Sequence, residues 1–378
     1  MNKSKIVLIG NYPLDHQESM QRFANMLKIG FEDIFEVEIY FPKVLAARLF
    51  NHSLSGIAKY LGYIDKWILF PIFLKRKVRK NDKKTYFHVC DHSNAYYMRS
   101  LPDERSSITC HDVLAIRGAL GYKDAYCPAS RSGVVFQKWI LKHLIKTEKI
   151  ACVSQFTLKQ LVALNGDYKK SGWKVIYNGF NAPFRKLSSK ESEKRLKKKG
   201  LELLVSNEYF IHLGSNLSRK NKILLLKTLK YLPDWKGKIC FAGKPLDDNI
   251  KEMIQDLGIQ NRVVEVVKPE FELLEALINY AKVFVFPSFS EGFGWPVTEA
   301  QACGTPVVAS NFAPMPEVGG EGALYADPYS PEEFAEQIKR ILINPTLEAQ
   351  LVTSGFENVK RFETTLMIER YKEFFKHG

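Results

Sequence analysis

The stretch Val285-Phe286-Pro287-Ser288-Phe289-Ser290-Glu291-Gly292-Phe293-Gly294-Trp295-Pro296-Val297-Thr298-Glu299-Ala300 reads as a strand, a tight turn and the start of a helix. The apolar strand ends at Pro287, a loop with two glycines follows, and Pro296 stands where a first helical turn suits its fixed φ. Such a turn sets the backbone N–H groups of Gly292, Phe293 and Gly294 toward a ligand and aims the helix dipole at negative charge. Glu291 falls at the C-terminal end of the strand, and Glu299 is expected in the first helical turn. The spacing lets one carboxylate accept hydroxyl protons from a sugar ring while the other accepts from a second polyol such as ribose. Taken alone, the pair has a plainer reading, with Glu299 complementing the helix dipole and Glu291 solvated in the loop.

Outward from this unit, strand-like and helix-like segments alternate almost from end to end, the signature of parallel sheets covered by helices. The second half offers strands at Tyr209 to Leu213, Lys238 to Ala242, Val263 to Val267, Val283 to Phe286 and Pro306 to Ala309. The first half offers them near 5 to 11, 35 to 41, 85 to 91, 106 to 111, 149 to 154 and 174 to 178, with helical periodicity at Ser19 to Lys28 and Val134 to Lys146. A chain of 378 residues is too long for one core. The expectation is an α/β protein of two doubly wound domains, 1–182 and 201–363, joined by a polar, lysine-rich stretch at 183–200 that reads as a linker or an exposed helix, with a C-terminal helix, 364–378, packing back on the first. Ligands are expected where strand C-termini face an interdomain cleft.

The net charge of +14 is unevenly placed. Residues 1–180 hold 28 Lys and Arg against 15 Asp and Glu, residues 183–200 hold 8 against 2, and the remainder holds 19 against 24. The first domain therefore carries the excess and is expected to meet an anionic partner, a solvated surface being the alternative. Within it, the apolar and aromatic run from Ile57 to Leu74 leads into Lys75-Arg76-Lys77-Val78-Arg79-Lys80, a pattern that fits a peripheral contact with an anionic membrane or a core-facing helix with a solvated end. No aromatic-basic RNA motif or helix-turn-helix signal is present, so nucleic acid is not expected as a partner. The start Met1-Asn2-Lys3-Ser4-Lys5 runs directly into a short strand-like segment without an export signal, and the six cysteines form no C-x-x-C pair. Both suit the cytoplasm.

The segment EGFGWPVTEAQACGTPVVAS, with its Glu-x7-Glu spacing, resembles the signature of the retaining nucleotide-sugar glycosyltransferases of family 4, which adopt the GT-B fold of two Rossmann-like domains facing across a cleft. His212-Leu213-Gly214-Ser215-Asn216-Leu217-Ser218-Arg219-Lys220-Asn221 resembles the phosphate-binding segment of that family. Val153-Ser154-Gln155, Tyr177-Asn178-Gly179, Phe241-Ala242-Gly243 and Pro316-Glu317-Val318-Gly319-Gly320 recur there in similar order. The resemblance implies a donor site of Gly214, Arg219, Lys220, Gly243, Glu291, Gly292, Phe293, Gly294 and Glu299, with Glu291 and His111 at the chemistry. His111 ends the strand Thr109-Cys110-His111; on its own it could be a satisfied core histidine. His92 is a second candidate.

Chemically, a guanidinium that grips two phosphate oxygens beside a mobile ammonium is what a diphosphate leaving group requires. These fixed cations would stabilise the charge that grows as the sugar–phosphate bond breaks. No D-x-D motif ends a strand, so metal-independent chemistry without a cofactor is expected. The loop Gly10-Asn11-Tyr12-Pro13-Leu14-Asp15-His16 lacks the usual glycine pair of the family, which leaves the acceptor, a glycan or a lipid-linked sugar, unassigned. The phosphate segment leans toward a GDP-mannose donor over UDP-sugars. A sugar-nucleotide epimerase or hydrolase, or a non-catalytic binding subunit, stands as the alternative.

Overall fold

The computed structural model describes residues 3–49, 57–180 and 182–376. Among the described residues, twelve strands form two separate six-stranded sheets, parallel throughout. The first contains β1 (Ser4–Ile9), β2 (Phe35–Tyr40), β3 (Tyr86–Val89), β4 (Ser106–Cys110), β5 (Ile150–Cys152) and β6 (Trp173–Val175), in the order β2-β1-β3-β4-β5-β6. The second contains β7 (Tyr209–Gly214), β8 (Lys238–Gly243), β9 (Val263–Val267), β10 (Val283–Phe286), β11 (Val307–Ser310) and β12 (Ala323–Ala326), in the order β12-β11-β10-β7-β8-β9. In that order the chain runs outward from β7 to β9, then returns to the other side of β7. The crevice beyond the C-terminal ends of β7 and β10 is therefore the topological switch point, where open α/β sheets bind ligands.

The chain divides into two compact units. One comprises 1–121, 128–181 and 364–378; the other comprises 122–127 and 182–363. The central strands are apolar on both faces because helices cover both, as in Val283–Phe286, where all four residues are buried. In the first unit the core gathers Val7, Ile9, Phe87, Val89, Ile108 and Trp173 around the sheet. The helix Thr364–Lys376 completes this core by burying Met367, Ile368, Tyr371, Phe374 and Phe375. A hydrogen-bonded chain ties it down: Ser107 Oγ lies 2.7 Å from Nδ1 of His88, whose Nε2 lies 2.8 Å from Thr109 Oγ1, itself 2.7 Å from the Tyr371 hydroxyl. Where the chain re-enters the unit, a side chain on Gly179 would meet the Thr364 backbone at 2.7 Å.

Three features depart from the sequence reading. The strand Ala323–Ala326 was not anticipated. The stretch expected to be a linker or an exposed helix between domains does hold a helix, Ser189–Lys198, capped by Ser188, but that helix belongs to the second unit and buries Leu196. Its Arg195 bonds the buried Glu275 at 2.8 Å, so the polar composition conceals one anchored face. The third concerns the helix Trp295–Ala302: it begins at Trp295, so Glu299 is its fifth residue and sits in the second turn, not the first.

Candidate functional site

The site in the second unit is built from the ends of β7 and β10. After Gly214 the chain passes through Asn216 into a single 3₁₀ turn, Ser218–Lys220, which Asn221 closes in the left-handed region at φ 53°. After Phe286 it runs through Pro287 to Gly294, whose φ of 103° starts the helix Trp295–Ala302. A side chain at Gly294 would lie 2.6 Å from the Met315 methyl, so both backbone and space demand glycine there. The two loops are laced together: Phe289 N–H donates to Arg219 O at 2.8 Å, and the Asn221 amide donates to Pro287 O and Pro328 O at 3.2 and 2.7 Å.

This lacing brings three of the anticipated residues into one ionic cluster. The Glu291 carboxylate accepts from Lys220 Nζ at 2.6 Å through one oxygen and pairs with Arg219 Nη1 at 2.7 Å through the other. Arg219 also donates to Ser290 O at 2.9 Å, and Lys220 Nζ stands 5.0 Å over the Phe286 ring. Glu291 is only 7% exposed, so it is no solvated loop residue. Its burial raises the carboxyl pKa, but Lys220 and Arg219 outweigh that and hold it at about 2. Lys220 is pulled below the ordinary lysine range by burial, against the attraction of Glu291 and with a push from Arg219.

Glu299 is likewise buried and adds its field to Lys220. Gly214 and Gly243 are paired across β7 and β8. A side chain on Gly243 would lie 2.6 Å from Gly214 O, so the floor of the site admits no bulk there.

Several neighbours escaped the sequence reading. His212, fully buried on β7, donates from Nδ1 to Val285 O at 3.0 Å. Burial drives its pKa down to about 3, which leaves a neutral imidazole whose Nε2 has no partner among the described residues. Lys222 donates to Asn216 Oδ1 at 2.7 Å, and burial lowers it to about 8. Tyr126, Phe289 and Tyr329 stack together, with the two tyrosine hydroxyls hydrogen-bonded. The His of a strand interior and the Lys just past the Arg-Lys pair were visible as residue types, but not their burial.

His111 lies in the other compact unit, at the end of β4. Its Nε2–H donates to Cys90 O at 2.9 Å, and Phe23 meets the ring edge-on at 4.6 Å. Burial lowers its pKa, opposed by the neighbouring Asp91. Asp91, buried itself, accepts from Asn11 at 2.5 Å, from Ser93 N at 2.9 Å and from the Ser93 hydroxyl at 2.7 Å. His92 sits between two carboxylates, 3.3 Å from Asp91 and 3.9 Å from Asp112.

The chain is 28% identical over 237 residues to the O-antigen chain mannosyltransferase RfbU of Salmonella typhimurium, an alignment covering 62% of this chain and 60% of that protein. It is 31% identical over 174 residues to O-antigen chain mannosyltransferase B of Escherichia coli, covering 43% of this chain and 45% of that one. It thus spans about half the length of these relatives. In structure it matches HepE of Anabaena, solved with UDP and glucose, at a TM-score of 0.75 over 99% of this chain and 100% of the other, with 16% identity. The segment 192–357, which holds Arg219, Lys220, Glu291 and Glu299, matches the family described as Glycosyl transferases group 1, and the two sheets take the fold of GT-B glycosyltransferase structures.

Proposed function

We propose that the protein is a glycosyltransferase that moves a hexosyl unit from a nucleotide diphosphate sugar to a hydroxyl of a glycan or lipid-linked acceptor, with retention at the anomeric carbon and without a metal. The observation that carries this reading is the Arg219–Glu291–Lys220 cluster at the switch point of β7 and β10, inside the segment that matches Glycosyl transferases group 1. Two cations fixed in a water-poor crevice suit a leaving diphosphate, whose charge grows in the transition state. Buried carboxylates at Glu291 and Glu299 suit the hydroxyls of sugar and ribose, since ionised carboxylates only accept. His111, with Nε2–H committed to Cys90 O, is assigned to a hydroxyl of the transferred sugar on the strength of the family resemblance. The names of the two relatives favour a mannosyl unit, and the lean of the phosphate segment favours GDP-mannose as its donor.

The test is release of nucleoside diphosphate from a panel of nucleotide sugars in the presence of EDTA, with proton NMR of the product. GDP-mannose consumption and a product with the donor's anomeric configuration are expected. An inverted product or a strict metal requirement would overturn the corresponding part of the reading.

A membrane-facing role is favoured by a specific surface. In the helical stretch 57–80, Trp67 stacks on Tyr63 and packs against Phe136 and Trp139, so these rings face inward. What faces outward is aliphatic: Ile64, Ile68, Leu69 and Ile72 form one exposed stripe that continues into Lys75, Arg76 and Arg79. Apolar side chains running into cations match an interfacial helix on an anionic leaflet, where each basic residue contributes about 1 kcal/mol. No helix among the described residues is long and apolar enough to cross a membrane. Sedimentation with phosphatidylglycerol vesicles, weakened by salt and by Ile68→Ser with Ile72→Ser, is expected. Equal and negligible binding to phosphatidylcholine and phosphatidylglycerol would favour a soluble acceptor.

A further inference from the structure

Glu291 cannot serve its two partners and a ligand equally. Both of its oxygens are engaged, one by Lys220 at 2.6 Å and the other by Arg219 at 2.7 Å, and the group is buried. A diphosphate brings at least two negative charges to the same N–H donors. Keeping the carboxylate in place would then crowd like charges in a crevice of low dielectric, where repulsion is strongest.

Building on the donor-site reading above, we propose that Glu291 is a resident counter-ion which the donor diphosphate displaces from Arg219 and Lys220, releasing the carboxylate to take the sugar hydroxyls only after the phosphates are bound. The surroundings suit an exchange. Glu291 sits in the loop between Pro287 and Gly294, whereas the cations are anchored by bonds that do not involve it: Arg219 by Ser290 O and by the Phe289 N–H on its own carbonyl, and Lys220 by its seat over Phe286. Losing the carboxylate need not scatter the cations. Without that carboxylate, however, buried Lys220 and partly buried Arg219 would be left with little more than the field that Glu299 exerts on Lys220, an unfavourable state. The resting pair therefore protects the empty site while lowering its affinity for anions that carry no sugar.

This assignment makes a prediction of unusual sign. Glu291→Gln keeps the shape but removes the charge, so inorganic pyrophosphate should bind the variant more tightly, by about tenfold, or about 1.4 kcal/mol. The same substitution should lower nucleotide-sugar turnover and reduce the melting temperature of the unliganded protein, and pyrophosphate should restore the latter. Titration calorimetry and thermal shift in a low-chloride buffer would read all three. Glu291→Asp, which keeps the charge with a shorter reach, gives a second measurement should the glutamine variant fold poorly; it should bind pyrophosphate with intermediate affinity. Pyrophosphate binding that is unchanged or weaker in whichever of the two variants folds overturns the exchange. Lys220→Met serves as the separate control: if it binds pyrophosphate as well as the parent does, the donor-site reading itself fails.

Discussion

Arg219, Lys220 and Glu291 form a small electrostatic machine whose response to substitution and to acid follows from its geometry. On the proposed donor site, removing either cation would leave a departing diphosphate short of one charge-assisted contact. Arg219→Ala and Lys220→Ala are each expected to lower turnover about tenfold to a hundredfold, by roughly 1.5 to 3 kcal/mol. Steady-state kinetics that match the parent in both variants would remove the pair from the mechanism. Because the folded carboxyl of Glu291 is held at about 2 against an ordinary 4.5, its contribution to stability is whole above pH 4.5 and is lost as the pH falls toward 2. The gap in melting temperature between the parent and Glu291→Gln should accordingly close across that range, as scanning calorimetry would record. Glu299→Gln should impair donor use while far-UV circular dichroism stays native. The residue types of this site were legible because charge at the end of an apolar strand is conspicuous. Their burial was not: Glu291 is enclosed with Arg219 and Lys220, which come from the loop after β7, 71 positions away in sequence for Lys220.

Among the elements, the helix Thr364–Lys376 depends on contacts with residues far away in the chain. Tyr371→Phe deletes the end of the chain of hydrogen bonds through Thr109 and His88, and is expected to cost about 0.5 to 1.5 kcal/mol in urea unfolding. Gly179→Ala presses a methyl group against the Thr364 backbone and should cost about 1 to 3 kcal/mol. Strands of β-branched and aromatic residues and periodic helices declared themselves in the sequence, as at Val283 to Phe286. The equally short strand Ala323–Ala326 did not, because Ala-Leu-Tyr-Ala has no β-branched residue and begins and ends on alanine, which is depleted in strands. Nor did the anchoring of the helix Ser189–Lys198, whose buried face amounts to Ser192 and Leu196 among lysines. Asp65 was equally hidden: its buried carboxylate accepts backbone N–H groups from Leu45, Ala46 and Ala47 and the hydroxyl of Tyr12, partners that only folding assembles.

For the molecule as a whole, each sheet encloses one histidine kept neutral by burial, His88 in the first unit and His212 in the second, both pushed down to about 3. The unfolded chain, with ordinary imidazoles near 6.5, binds more protons, so both units should weaken as pH drops from about 6.5 toward 3. Substituting His88 or His212 by Gln should flatten the pH dependence of unfolding free energy by up to about one proton each. A slope unchanged in both variants would show that other groups govern acid sensitivity. The division of the chain also has a temporal side. The strands of the first unit are made early, yet Tyr371 and Phe375, which finish its core, follow the whole of 182–363. At about 5 to 20 residues per second of synthesis, that stretch imposes a wait of roughly ten to forty seconds. The unit begun first is thus finished last, and until residues 364–376 emerge its core stays open along the flank that Tyr371 and Phe375 cover.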